Sequence, residues 1–483
     1  MPGSVEWWLA QLDAALTERA KDVERLLAYY DGRHPRPEAP KNMPANAVDE
    51  VRRQWAVLAA CGVTNWVRLV ADAPAERLHV VAFRFGESIE GDKDAWRLWQ
   101  GNQLDADSDL LISTALQTGQ SFGLVWPNPN SPVGVDVTVE DPAETIVAYE
   151  PGSRRRRAAA LKRWLDDDGH ALANVYLPDG IYKFRSRQRW AEVTYSTSRQ
   201  DRWEPREVDG ETWPLRNPFG VVPIVEFRAN PTLRAARHGG GTAEFEPVLS
   251  IQDRINKTIF DRMVTAETQA FRQRVIVGWE YPTVVNEQGQ AVPDVNAMQR
   301  ASASRSWVFD DPDVKVTELG QADFTGFISA VESDVQMMAA ISKTPPHYLL
   351  GKMVNISGDA LKAAESGLVA KVRRHANNFG ESYEELMRLM LAAVGDPRAG
   401  DVQSMVVWDD MESRTWAETV DAVMKMQALG VPQEELWSRL PEVTPQDVQR
   451  WKGMQAAEQM RRELFAGVDD EQLDEDDDGS EAP

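Results

Sequence analysis

Two stretches decide the architecture of this chain: VLSIQDRINKTIFDRMVTAETQAFRQR at 248–274 and ADFTGFISAVESDVQMMAAIS at 322–342. The first contains no glycine or proline, and Val248, Gln252, Ile255, Ile259 and Met263 recur on one helical face. At the α-helical rise it spans roughly 40 Å. The second sets Phe324, Phe327, Ile328, Val331, Val335 and Met338 at three- and four-residue spacing, a helix of roughly 31 Å. Two such rods predict antiparallel partners. The residues they carry between them, 275–321, are β-leaning and turn-rich, with VIVGWE, SWVF and VKVTEL as strands.

Upstream, apolar residues at Trp8, Leu12, Leu16, Val23, Leu26 and Leu27 predict an amphipathic helix over 5–30, ended by Asp31-Gly32 and Pro35. A second helix is predicted over 46–73, interrupted only at Cys61-Gly62. Then come a strand (RLHVVAFRF, 77–85), a helix over 94–117 and a strand over 121–126. Between 136 and 227 short β runs separated by Asp168-Gly169 and Pro178-Asp179-Gly180 predict a meander. Gly239, Gly240 and Gly241 read as a flexible linker into the first rod.

Downstream, KTPPHYLLGKMVNIS (343–357) has adjacent prolines and no sustained period, so it reads as a loop. A long helix over 359–394 comes next, with Gly367 and Gly380 as points of bending, then a strand over 404–408 and an all-helical stretch over 415–465. Helices and strands in this order make an α+β protein, not a βαβ repeat.

The 483 residues carry 76 acidic and 53 basic side chains, a net charge of −23. Such a surface repels nucleic acid and anionic membrane. The last eighteen residues hold nine carboxylates and no base, the composition of an acidic disordered tail. One cysteine, Cys61, excludes an intrachain disulfide. No run of about 18 apolar residues and no basic, apolar leader are visible, so the chain reads as soluble and unexported.

Chemistry is hard to find. The histidines His34, His79, His170, His238, His347 and His375 are scattered, with no HExxH or paired CxxC. Gly351-Lys352 lacks the rest of a phosphate loop, having Pro346 and Met353 where glycine and Ser or Thr would stand. His238 with its glycines has no GxSxG companion. Arg154, Arg155, Arg156 and Arg157 read as a solvated or subunit-contacting face. The carboxylates Asp310, Asp311, Asp313, Asp409 and Asp410 lack companion ligands for a nuclease centre. Seventeen tryptophans, many in helices, suit packing rather than base stacking. No catalytic residue, metal or cofactor is predicted.

The element order resembles that of the portal proteins of tailed double-stranded DNA phages. Local sequences agree: YYDGRHP (29–35), ERLHVVAFRF (76–85), NPFGVVPIVEF (217–227), EFEPVLSIQDRINKTIFDRM (244–263), TPPHYLLGKMVNISGDALKAAE (344–365) and DAVMKMQALGVPQEEL (421–436). The resemblance implies an α+β wing over 1–241, a stem helix over 242–274, a clip over 275–321, a second stem helix over 322–342 and a tunnel loop over 343–357. A long bent helix and return to the wing over 358–414, a crown over 415–465 and the acidic tail over 466–483 complete the map.

It further implies a homo-oligomeric ring, dodecameric in the family, at a unique capsid vertex of the virion, assembled in the host cytoplasm. Double-stranded DNA would pass through it without sequence recognition. The terminase large subunit, a head-completion or adaptor protein, and the major capsid and scaffolding proteins would be its partners, and a membrane would not. Lys343, His347, Lys352 and Asn355 are then expected at the narrowest part of the channel, although Asn355 suits a helix cap equally well. Arg272, Arg274, Trp279 and Trp307 are expected on the clip's partner surface or in its subunit packing. A monomeric head-completion adaptor and a DNA-processing packaging enzyme are the competing readings.

Overall fold

The structure, a computed structural model, describes residues 3–36, 49–86, 91–192, 202–232, 240–269, 274–277, 283–285, 289–293, 315–318, 323–351, 358–412, 416–437, 440, 443 and 445–469. Its contacts divide the chain into two units. The larger comprises 1–34, 65–252 and 336–483, and the smaller 35–64 and 253–335. The boundaries fall inside both rods read from the sequence, α6 (Leu249–Gln269) and α7 (Thr325–Ser342).

In the larger unit, α1 (Val5–Tyr30) starts at an N-cap, Ser4, whose hydroxyl accepts from the Trp7 amide. Trp8, Leu9, Leu12 and Leu16 repeat every three to four residues and are buried on the meander. That sheet runs β4 (Thr145–Tyr149), β5 (Arg157–Leu165), β6 (His170–Tyr176), β7 (Gly180–Arg189) and β8 (Trp203–Pro205), with the short β9 (Leu215–Arg216) also on β7, antiparallel throughout. Alternation gives it two apolar faces. Ile146, Ala148, Ala159 and Leu161 meet α1, while Val147, Tyr149 and Ala160 face Phe122, Val222 and Ile224. Every residue of β4 is therefore buried.

The second face belongs to a three-stranded sheet ordered β10 (Ile224–Arg228), β2 (Gln120–Pro127) and β3 (Val135–Glu140). Its own far side rests on helices: α3 (Trp66–Ala75), α4 (Lys93–Gly101), α5 (Leu104–Thr118) and α9 (Gly358–Ala393). The last, of 36 residues and about 54 Å, presents Leu368, Val372, Ala376, Phe379, Tyr383, Met387 and Met390 at helical spacing to one core. The buried Tyr383 hydroxyl donates to the Ser108 carbonyl at 2.9 Å. Full burial of each Leu, Val, Phe or Met among these is worth about 1.5–3 kcal/mol. A separate ribbon, β1 (Val80–Arg84) with β15 (Met405–Trp408), seals the unit, pairing Phe83 with Val406.

The chain passes from sheet to rod through a tight place, not through a linker. Gly119 has φ +88°, and a Cβ on Gly241 would lie 1.7 Å from its carbonyl oxygen. Thr242 and Glu244 donate backbone hydrogen bonds to Ala229 and Leu116 on either side. The third glycine of the triplet is thus required by close backbone approach, which corrects its reading as a flexible connector. Of its two companions, Gly239 lies outside the described residues.

The smaller unit is mostly helical among the described residues. It contains α2 (Asp49–Cys61), most of α6 and the first part of α7, with Trp55 edge-on to Phe260 at 4.7 Å. Asn256 on α6 accepts from both the amide and the hydroxyl of Thr64. Arg254 makes a two-pronged bond to Asp334, Nε to Oδ2 at 3.0 Å and the second nitrogen to Oδ1 at 2.7 Å, so the rods do lie side by side there. Beyond them, β11 (Arg274–Val277) pairs antiparallel with β14 (Lys315–Glu318), and β12 (Thr283–Val285) with β13 (Ala291–Pro293). VIVGWE and VKVTEL are strands in their described parts, while SWVF lies outside the described residues.

Other boundaries move by identifiable causes. The helix expected over 46–73 is two helices, because Gly62 has no room for a side chain beside Phe260 and Asn65 caps a new start. The composition of 53–75 would suit a membrane span, but the chain breaks there, and Val67, Val70 and Ala71 are buried. The helix over 94–117 likewise splits where Gln103 takes φ +57°. Three helices, α10 (Trp416–Ala428), α11 (Gln433–Trp437) and α12 (Pro445–Asp469), end the described chain.

Candidate functional site

The segment that leaves α7 is where the resemblance led channel-lining residues to be expected. The rod stops because Lys343 enters the left-handed region at φ +54°, a conformation disfavoured for a side-chain-bearing residue by roughly 1–2 kcal/mol. The Thr344 amide returns to the Ala339 carbonyl at 3.1 Å, closing the last turn. Pro345 and Pro346 then set their own φ angles, and Pro346 opens a single turn of helix, α8 (Pro346–Leu350). Gly351, φ +63°, ends it by donating to His347 O.

Three groups hold this segment. The Lys371 ammonium donates to the Ser342 carbonyl at 2.8 Å and to Glu244 at 2.9 Å. Arg77 donates to the Tyr348 hydroxyl at 2.7 Å and to Glu365 at 3.2 Å. The Trp66 indole donates to the Leu349 carbonyl at 3.0 Å. Leu349 and Thr344 are buried beneath these bonds.

Around Glu244 the network is almost entirely removed from water. His375 and Asn230 bond its second oxygen at 2.9 and 2.7 Å. Burial alone would raise the carboxyl's pKa, but the His375 bond, the Lys371 charge and the Asn230 amide outweigh it and bring it down to about 2. Burial lowers the Lys371 pKa, with Glu244 opposing. At Arg77, burial acts downward and is outweighed by Tyr348 and Glu365, leaving the guanidinium's pKa raised.

The residues singled out in the sequence divide. Lys343 is exposed. His347 turns inward, edge-on to Tyr348 and with Nε2 3.9 Å from Glu365. Lys352, Asn355, Arg272, Trp279 and Trp307 lie outside the described residues, and of Arg274 only its place in β11 is described. Of the arginine run, Arg154, Arg155 and Arg156 face solvent, but Arg157 is buried, paired with Glu385 at 2.8 Å and bonded to Val222 O. The solvated reading is corrected for that one residue, because β5 turns its side chain toward the body of the unit. Lys257 pairs with Asp261 four residues on, a local helix pair on α6.

Sequence reasoning missed Arg77, Glu244, Arg254, Asp334, Glu365, Lys371 and His375. Each has a partner far away along the chain, so no local spacing marks it.

Fold and site together define an α+β protein with two long helices and a buried polar network around Glu244. Among the described residues no group of three or more His, Cys, Asp or Glu could hold a metal. Comparison with known proteins gives the family. The sequence matches the phage portal proteins of the SPP1 Gp6-like type over residues 9–461. The portal protein of Mycobacterium phage L5 is 29% identical over 442 residues, covering 88% of this chain and 83% of that protein. That of Mycobacterium phage D29 is 29% identical over 444 residues with the same coverage. Among solved structures, the neck of a native gene transfer agent particle covers 86% of this chain and 98% of that one, at 14% identity and a TM-score of 0.44. The chain belongs to the SPP1 Gp6-like phage portal protein family, with an α+β portal fold and the function of a phage portal vertex protein, a virion component.

Proposed function

We propose that this chain is the repeating subunit of a closed ring, a dodecamer, whose central channel passes double-stranded DNA into and out of the phage head at one vertex. The observation that carries this is the family match across 9–461, which takes in both rods and everything between them. In this reading 1–241 is the wing, 242–274 and 322–342 the stem, 275–321 the clip that meets the terminase large subunit and later the head-completion protein, 343–357 the tunnel loop, 358–414 the long helix and its return to the wing, and 415–465 the crown. The wing and crown face capsid and scaffolding proteins. Assembly takes place in the host cytoplasm.

The charge supports the reading. A polymer that must slide cannot be bound tightly, and a net charge of −23 per subunit lowers adhesion to phosphate. Repetition around the ring multiplies each lumen charge, so a few basic groups from 343–357, Lys343 and Lys352 with Asn355, suffice to touch the duplex. Arg272, Arg274, Trp279 and Trp307 serve the clip's contacts.

End-on electron micrographs and the native mass of the purified particle test the proposal. A ring with an open centre and about twelve subunits is expected, and a monomer would point to the adaptor reading instead. Lys352→Glu should leave ring size unchanged and shorten the packaged DNA.

A further inference from the structure

We propose that residues 343–351 form a rigid bracket, with Arg77, Tyr348 and Glu365 as positioning residues that fix the direction in which the chain leaves the bracket at Gly351. The inference rests on the reading of 343–357 as the DNA-facing segment and assigns that segment an immobile root.

The bracket begins and ends at left-handed residues, Lys343 and Gly351, and two consecutive prolines stiffen the backbone between them. Tethers reach it from three separate elements. α9 supplies Lys371 to the Ser342 carbonyl and Glu365 to the Arg77–Tyr348 pair, α3 supplies Trp66 to the Leu349 carbonyl, and Arg77 comes from the turn before β1. Arg77 also donates to the Met411 carbonyl, so its guanidinium is held on two sides. The Arg77 and Glu365 side chains keep only 12% and 14% of their exposure, which makes these charge-assisted bonds in a region of low dielectric.

A segment built to swing with its helix would have few buried contacts and hydrogen bonds open to solvent. This one has the reverse. Lys371 and Glu365 stand on the same helix, so α9 holds both the start and the middle of the bracket. The chain up to Gly351 accordingly keeps its place, with the His347 ring turned inward, 3.9 Å from Glu365.

The test uses assembled rings of the full chain with Tyr348→Phe, Glu365→Gln and the double variant. Hydrogen exchange of the Tyr348 and Gly351 amides, which bond Pro345 O and His347 O, is followed together with ring mass and packaged DNA length. Each single change should leave ring mass unaltered and speed exchange about tenfold. The double should add little to either single, because both act on one network, and packaged DNA should shorten. Exchange at the wild-type rate, or strictly additive effects, would overturn the bracket. Faster exchange with packaged DNA of normal length would overturn the DNA-facing reading of 343–357, and with it the positioning role. If Glu365→Gln does not assemble, Tyr348→Phe, which removes one hydroxyl and keeps the ring, carries the test alone.

Discussion

The two units of this chain are stabilised by different means. The larger one closes three apolar clusters with its own residues, among them fully buried Trp99, Phe122, Phe227, Phe379 and Tyr383. Among the described residues the smaller one buries fewer apolar side chains, among them Ile255, Ile259, Phe260 and Val335, and adds the Arg254–Asp334 ion pair and the Thr64–Asn256 hydrogen bonds. Its strands are two-stranded ribbons, a form marginal in water by itself, and they expose Val277 (60%), Val284 (46%) and Val285 (73%). The larger unit holds all three apolar clusters. The smaller leaves apolar side chains of its described ribbons exposed.

Substitutions can break that contrast. Gly241→Ala should be the most damaging, because the added carbon would overlap the Gly119 carbonyl. A loss of more than about 4 kcal/mol, seen as absence of soluble folded protein or of a cooperative thermal transition, is expected. Phe379→Ala, in the main cluster, should cost about 3–5 kcal/mol in denaturant titration.

Acid acts next. The Glu244 carboxyl lies at about 2 in the folded chain against an ordinary 4.5, so it favours folding at any pH above about 4.5. That contribution is lost as pH falls through 2. At pH 7 the native chain should exceed Glu244→Gln by roughly 3 kcal/mol, and the gap should close between pH 4.5 and 2 in parallel denaturation series.

In the smaller unit the effects on the isolated subunit should be small. Arg254→Ala is expected to cost below about 1 kcal/mol, since the pair is open to solvent on the arginine side. Val285→Lys should leave the melting temperature of dissociated subunits unchanged, yet weaken assembly or partner binding measured by sedimentation. A large drop in subunit stability from Val285→Lys would erase the distinction between the two units.

Much of the fold was legible because burial leaves a periodic trace. The three- and four-residue spacing of α6, α7 and α9, the alternation of β4 to β7 and the turn at Asp168-Gly169 all arise from local sequence. Breaks were harder. Gly62, Gln103 and Gly241 are explained by Phe260, by a left-handed backbone and by Gly119, and only the tertiary structure brings those causes together. The site was less legible still. Arg77 finds Glu365, and Glu244 finds Lys371 and His375, across distances along the chain that no motif spans. Local pattern did identify 343–357 as special, through its prolines and missing period, but not the distant partners that hold 343–351.

The ribbon of β1 and β15 has a consequence for biosynthesis. Its first strand leaves the ribosome early, and its mate emerges late: the Gly86 amide, just past β1, bonds an Asp401 side chain 315 residues further along. Until translation is nearly finished, Val80–Arg84 has an unpaired edge, the kind of surface on which newly made chains stick to one another. Long-range closure of this sort is slow. A chain whose early strand waits for so late a partner has a built-in delay before its fold is complete, and shielding of that early edge becomes a requirement of its production.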